Sequence, residues 1–584
     1  MNILFIVLGV AALFYVAYIT YGKFLAKKIY ALDDNNVTPA VEMNDGLDYV
    51  PTDKKFLMGQ HFSAIAAAGP ITGPIIAGLA FGWLPTLIWI IVGSIFIGGV
   101  HDMGAMVASV RNKARSITET VRLNVSRRAW ILFNLFIWFT LVMIIVAFTD
   151  VTTSAFVNTV DLGNGQMVGG GAIATSSLLY LALPVVMGFL LKYTKLNLTW
   201  ATIIFLPLVG VAIWVGQYIP LNMPAVLGLA PQKVWNIIVL IYCFVAAVVP
   251  VWALLQPRGH LGGYFLYASL IIAFIGVIFG GFTIQYPAFN PKGLEASAVW
   301  PAMVPMLFIT VACGACSGFH SLVGSGTTSK QIKKEGDTKL VGYGMMLVEG
   351  IVAVIALATV MMLTKDDPLV SKSPNFVYAS GLGSFMQLIG VSPAFGISFG
   401  LMAFTTFVYD TLDICTRLGR YIIQELTGFK SWAGKIFATL LTGGVPLLLM
   451  LITLKDAAGN PVPAWSMFWK TFGASNQLLA GLALIGITVW LLNTAKYKKA
   501  WIFTFIPALF MFIMSTWALI KMFLANTVVE GVFAFPAGAQ IIIPIACLIY
   551  IVLAIWMAVE TTLAFSRSKN NPSAPAEALG APAK

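Results

Sequence analysis

The chain of 584 residues carries 35 Lys and Arg against 23 Asp and Glu, so charged side chains make up only 10% of it while 59% are apolar. A soluble fold draws on roughly 25% charged residues, so composition excludes a soluble multidomain protein, a disordered chain, collagen and a disulfide scaffold. What remains is an all-α polytopic membrane protein, whose net charge of +12 reads as the basic bias of one membrane face, with the lipid bilayer and no nucleic acid as its partner.

Apolar runs of about 20 residues, the length that crosses a bilayer, are predicted at 2–22, 61–82, 84–110, 129–150, 172–191, 197–219, 234–255, 260–283, 301–326, 340–363, 391–416, 434–454, 465–492, 500–524 and 538–562, fifteen spans in all. The first lacks a basic leader region and a small-residue cleavage site, and reads as a retained helix. With the N-terminus outside and strict alternation, 28 of the 35 basic residues fall on the inner side, which predicts an external N-terminus and a cytoplasmic C-terminus. The stretch 111–128, RNKARSITETVRLNVSRR, reads as a cytoplasmic amphipathic helix. Residues 563–584, rich in Pro and Ala, read as a disordered cytoplasmic tail. The chain holds no G-x-x-x-x-G-K-[ST] and no H-E-x-x-H string, so neither ATP-driven pumping nor an intramembrane metalloprotease has support, and no catalytic residue is nominated.

The second span contains GPITGP, with Pro70 and Pro74 one turn apart beside Gly69 and Gly73. Proline brings no N–H, so the carbonyls of Ala66 and Pro70 lose their helical donors. Bare carbonyls are tolerated in a membrane only inside protein or along a wet cavity, and broken helices near the midplane mark secondary transporters. The seventh span carries Pro250 and Trp252, lies five spans later and runs the opposite way, as expected of 5+5 inverted repeats. Gly69, Pro70, Thr72, Gly73, Pro74, Pro250 and Trp252 are therefore candidate substrate-binding residues. Ser321 and Ser325 of the ninth span join them, while the glycines of that span also suit plain close packing. Asn476 and Gln477, near the middle of span 13, read first as glue between helices.

Ionisable groups inside spans are expensive and are usually functional or paired. Counting residues from the basic loops places His61, His101, Asp102, His320, Glu349, Asp410 and Asp413 in the cytoplasmic half. With Thr327 and Thr328 they are the candidate ion-coupling set, for H⁺ or, less favoured, Na⁺. The plain alternative is separate ion pairs, with Asp413 and Arg417 spaced i,i+4 for one. Cys313, Cys316, His320 and His101 form a long-shot structural metal site; no cofactor is expected.

Six strings, GPITGP, GGVHDM, PVWALLQPR, SGFHSLVGSGTTSKQ, TLDICTRLGRYIIQEL and FGASNQLLA, spread over about 60–480, resemble the carbon starvation protein CstA family. The resemblance implies uptake of short peptides or pyruvate across the bacterial plasma (inner) membrane, in the carbon starvation response, and kinship with LeuT-type transporters. It implies a division into a peripheral helix and loop (1–60), a ten-helix core (61–416), additional helices (417–562) and the tail, with spans 2 and 7 as the broken pair and spans 12–15 peripheral. A symporter is the leading reading. A channel, or a nutrient sensor with transport secondary, is the alternative, and accumulation against a gradient separates them.

Overall fold

The structure is a computed structural model, and it describes all residues except 47–48, 67, 162–166, 291–302, 430, 456–460, 530, 537 and 571–584. Among the described residues, thirteen helices are long and apolar enough to cross a membrane, and a fourteenth span is counted if one bent pair is a single crossing. In chain order the spanning helices and the shorter ones between them are α1 (Ile3–Ile29), the bent pair α2 (Lys54–Ile65) and α3 (Gly69–Phe81), α4 (Trp83–Arg111), the short α5 (Ile117–Asn124), α6 (Arg127–Val157), α7 (Gly170–Tyr193), α8 (Leu198–Tyr218), α9 (Pro231–Val248) and α10 (Leu255–Phe279). They continue with α11 (Met303–Thr310), α12 (Gly318–Gly326), α13 (Lys339–Met361), α14 (Pro374–Gln387), α15 (Pro393–Thr427), α16 (Trp432–Leu451), α17 (Ala464–Thr494), α18 (Ile502–Thr527) and α19 (Ile542–Asn570). Two antiparallel pairs of two-residue strands are the sheet content among these residues.

The expected all-α membrane architecture is present, and the count differs for a physical reason. The predicted ninth span is two short helices, α11 and α12, parted by a non-helical stretch over 311–317, and neither half is long enough to cross alone. The bend between α2 and α3 is 48°. Pro70 sits in the first turn of α3, where the missing N–H would be an orphan anyway. The helix therefore restarts at Gly69, and the break falls upstream of the Gly-Pro pairs, not within them. Residues 69–74 are helical, contrary to the sequence expectation.

The seventh span is also corrected. α9 ends at Val248, and Pro250 opens the turn that leads into α10, whose first turn takes Pro257. Pro250 delimits two helices and does not break one. The broken partner of α2–α3 is thus α11–α12, two spans later than expected.

One end of the bundle gathers the basic residues. There Thr52 bridges to Ile332, Lys28 lies over Tyr497 and Ser126 bonds Glu560. At the opposite end Ile3 N–H donates to Phe282 O, Gln285 N–H to Met361 O and Leu84 N–H to Ala288 O. The basic segment 111–128 does contain a helix, α5, shorter than expected and with Ile117 and Val121 buried. The helix α19 runs on through 563–570, so the tail expected as disorder is helical that far; 571–584 lies outside the described residues.

The sequence reading has no counterpart for α14. Its 14 residues reach about 21 Å, short of the ~30 Å apolar layer. It lies at the end away from the basic residues, with Gly276 of α10 closed against Phe385 and Gly381 against Thr359 of α13. Nor is span 13 peripheral: α17 packs against α4, α5, α6, α11, α12, α18 and α19, and Phe472 through Leu484 of it are buried.

Candidate functional site

The two breaks meet. A Cβ on Gly69 would overlap Cys313 Sγ, and one on Gly73 would lie 2.6 Å from Thr310 O. Glycine is needed at these positions because backbone and side chains of the facing break already occupy the space. The carbonyls freed by unwinding 311–317 are satisfied from neighbouring helices. Trp89 Nε1 donates to Val311 O at 3.1 Å, Ser94 Oγ to Gly314 O at 3.2 Å, and Gln477 Nε2 to both Phe308 O and Val311 O at 3.2 Å. Asn476 Oδ1 accepts the N–H of Phe319, in the first turn of α12, at 3.0 Å, and its Nδ2 donates to Ser317 Oγ at 3.1 Å. These two amides hold the break open, which is the bracing role their sequence position suggested. Thr72 Oγ1 is buried without a hydrogen-bond partner.

Beside the crossing, four of the predicted ionisable residues form one chain. His101 Nδ1 lies 2.7 Å from Asp102 Oδ1, Asp102 Oδ2 lies 2.8 Å from His320 Nδ1, and His320 Nε2 lies 3.2 Å from Glu349 Oε2. The last contact is at ion-pair distance but out of line for a hydrogen bond, so both Glu349 oxygens lack a donor. All four side chains are buried, Glu349 completely. They come from α4, α12 and α13, so the chain ties the half-helix α12 to two continuous helices. His61 of α2 stands apart from direct contact with it, with Nδ1 2.9 Å from Thr328 Oγ1.

Asp410 and Asp413 belong to a second group, built on a residue that sequence reasoning treated as a loop charge. Arg258, in the first turns of α10, is 1% exposed. Its Nε donates to Asp410 Oδ1 at 2.7 Å, and its Nη1 to Asp413 Oδ2 and to Tyr242 OH. Tyr242 OH in turn donates to Asp413 Oδ2 at 2.9 Å. The expected Asp413–Arg417 pair does not form: Arg417 Nη2 donates to the carbonyls of Ala246 and Val249 at the end of α9. Ser63 of α2 donates to Asp410 Oδ2 at 3.4 Å. The half-helix α2 thereby touches α12's extension through His61 and the Arg258 group through Ser63.

Other candidates lie elsewhere. Trp252 and Pro250 are at the basic end, with Trp252 under Lys192 Nζ at 3.6 Å and beside Phe189, away from the crossing. Ser321 and Ser325 donate back to the carbonyls of Gly318 and Ser321 within α12. Ser325 also accepts Ile117 N–H at 2.9 Å and lines a cavity of about 330 Å³ at the basic end with Tyr49, Arg115, Ser116, Glu119 and Lys330. Thr327 bonds Val323 O within its own turn. Cys313, Cys316, His320 and His101 are not gathered: among the described residues no set of three or more His, Cys, Asp or Glu is placed to hold a metal.

A sequence model described as "Carbon starvation protein CstA" matches residues 1–375 and 365–518. The chain is similar to the "Peptide transporter CstA" of Helicobacter pylori, at 31% identity over 86% of this chain and 79% of that one, and to that of Escherichia coli, at 30% over 86% and 78%. The "Pyruvate/proton symporter BtsT" of Escherichia coli is 28% identical over 91% of this chain and 83% of its own. Among solved structures, a manganese transporter from Eremococcus coleocola superposes with a TM-score of 0.44 at 14% identity, over 89% of this chain and 99% of that one.

Proposed function

Because the chain belongs to the carbon starvation protein CstA family of membrane transporters, we propose that it is a secondary active symporter that takes up short peptides or pyruvate with protons across the bacterial inner membrane. In this reading the basic end faces the cytoplasm and the N-terminus lies outside. The observation that carries the proposal is the crossing of two antiparallel broken helices beside a buried Glu349–His320–Asp102–His101 chain.

A peptide and pyruvate share a carboxylate. The N-terminal turn of α3, with the partial positive charge of a helix start, and the unpartnered Thr72 hydroxyl offer it a site. Glu349 and His320, 3.2 Å apart, exchange a proton once a side-chain rotation brings them into line, and Asp102 holds the imidazole in place from the other side. Coupling requires that the two protonation states prefer different conformations. The half-helix α12 carries His320, so a change of charge there acts directly on the element best able to move. The cavity below Ser325 is the route to the cytoplasm.

The test is uptake of pyruvate and of di- and tripeptides by proteoliposomes under separately imposed H⁺ and Na⁺ gradients. Accumulation driven by a proton gradient supports the reading. Accumulation driven by Na⁺ alone moves the coupling site to the hydroxyls of α12, and flux without accumulation makes the protein a channel.

A further inference from the structure

Three cations meet at the basic end, and among the described residues no anion pairs with them. Arg417 and Arg420 lie one turn apart on α15, and Lys435 lies in the first turns of α16. Arg417 Nη2 donates to Ala246 O and Val249 O at 2.6 and 2.7 Å, and Lys435 Nζ to Val248 O at 3.0 Å, so both converge on the last carbonyls of α9. Arg420 is 3% exposed, Arg417 is buried, and the Nε of each has no partner. Among the described residues none of the three joins an ion pair, although Arg111, Arg122 and Arg258 all do. Helix-end carbonyls offer only partial negative charge. Buried cations with no counter-charge are costly, and proteins retain them where an anion is bound.

The surroundings identify which anion. Trp432, Tyr421 and Phe429 are 66%, 48% and 58% exposed, and α16 turns Phe437, Leu440 and Leu448 outward. Lys435 Nζ lies 5.0 Å from the Trp432 ring centroid and the Arg420 guanidinium 4.4 Å from that of Tyr421. Outward aliphatic side chains below a layer of Trp and Tyr describe a lipid-facing surface at headgroup depth. A soluble anion would meet an apolar wall on this side, whereas a lipid presents its phosphate at this level. Basic pockets between helices at a cytoplasmic face suit anionic headgroups.

We propose that Arg417, Arg420 and Lys435 form a binding site for the phosphate of an anionic phospholipid, with Trp432 and Tyr421 packing beside the glycerol and upper acyl chains. The bound lipid joins α15 and α16 to the end of α9, and so fixes the surround of the transport core.

The experiment uses the purified full-length chain in detergent, with its unfolding midpoint followed against added phosphatidylglycerol, phosphatidylcholine or inorganic phosphate. Phosphatidylglycerol is expected to raise the midpoint saturably, and the other two are not. The double variant Arg420→Gln, Lys435→Gln should raise the half-saturating concentration by roughly fivefold for each charge removed, while Arg420→Lys stays near the parent value. Equal effects of the two lipids, an equal effect of inorganic phosphate, or an unchanged response of the double variant each overturns the proposal. If the double variant does not fold, a photoreactive phosphatidylglycerol decides on the unaltered chain. Crosslinks at 417–437 that phosphatidylglycerol, but not phosphatidylcholine, competes away support the site; their absence overturns it.

Discussion

Arg258, almost fully buried, is held between two aspartates and a tyrosine. Removing one partner of such a group leaves a buried charge unpaired, at about 3–5 kcal/mol. Arg258→Gln is therefore expected to lower the unfolding midpoint sharply, and adding Asp410→Asn and Asp413→Asn to it should recover most of the loss; a thermal-shift series checks both. The buried Glu349–His320–Asp102–His101 chain makes a different prediction. Asp102→Asn or His320→Ala should abolish accumulation driven by a proton gradient while counterflow exchange, which needs no net proton movement, survives better. Paired transport assays on one proteoliposome preparation measure this. The shared depth of His101, Asp102, His320 and Glu349 is legible in the sequence, because each falls about ten residues from a cation of the basic loops. Arg258 is not. It follows Pro257, and a proline followed by an arginine between two apolar runs looks like a loop. Only the folded chain reveals that α10 begins at Leu255 and carries the arginine inward.

Helical breaks depend on neighbours as much as on their own residues. The α2–α3 break was legible through GPITGP, displaced by one turn because proline is at home where a helix starts. The α11–α12 break has no proline over 311–317; its carbonyls are held by Trp89, Ser94 and Gln477 and its Phe319 N–H by Asn476, residues far away in sequence. In the sequence, Pro250 therefore looks like the partner of the first break. Asn476→Ala leaves the Phe319 N–H unsatisfied, and is expected to destabilise by about 1–3 kcal/mol and to lower transport beyond its effect on expression. Gly73→Ala places a methyl against the backbone oxygen of Thr310, 2.6 Å away, which cannot yield as a side chain can. Transport should fall severely with protein still in the membrane, as read by uptake normalised to expression. The short α14 escaped notice because its Gly- and Ser-containing 14 residues fall below spanning length.

Across the whole molecule the basic end is tied shut. Arg111 donates to both oxygens of Glu335, at 2.6 and 3.1 Å, and Asp33 N–H and Asn36 add two more bonds. Thr52 N–H and Val50 N–H pair with the carbonyls of Gln331 and Lys330. The loop before α2 is thus fastened to the loop after α12. Burial pushes the Glu335 carboxyl up, but Arg111 and the Asp33 N–H outweigh it and hold it below its ordinary value of 4.5. A carboxyl with a depressed folded value contributes stability above its unfolded value and loses it as pH falls through the folded one. Acidification into that range should therefore loosen this clasp, and Glu335→Gln should loosen it at neutral pH and remove the dependence. Labelling of a cysteine placed at Gly336, across a pH series, measures both.

The half-helix α2 is 12 residues long, short enough to move as one rigid piece, and besides its packing two buried side-chain hydrogen bonds tie it to its neighbours: His61 to Thr328 and Ser63 to Asp410. A bolt held by two independent catches behaves differently when one is filed away than when both are. If only one releases, the piece swings without waiting for cargo, and ions slip through unaccompanied. In the symporter reading, loss of the Ser63 contact should therefore appear to the cell as a wasteful acid leak that drains the membrane potential and slows growth most on poor carbon supply, even while nutrient still enters.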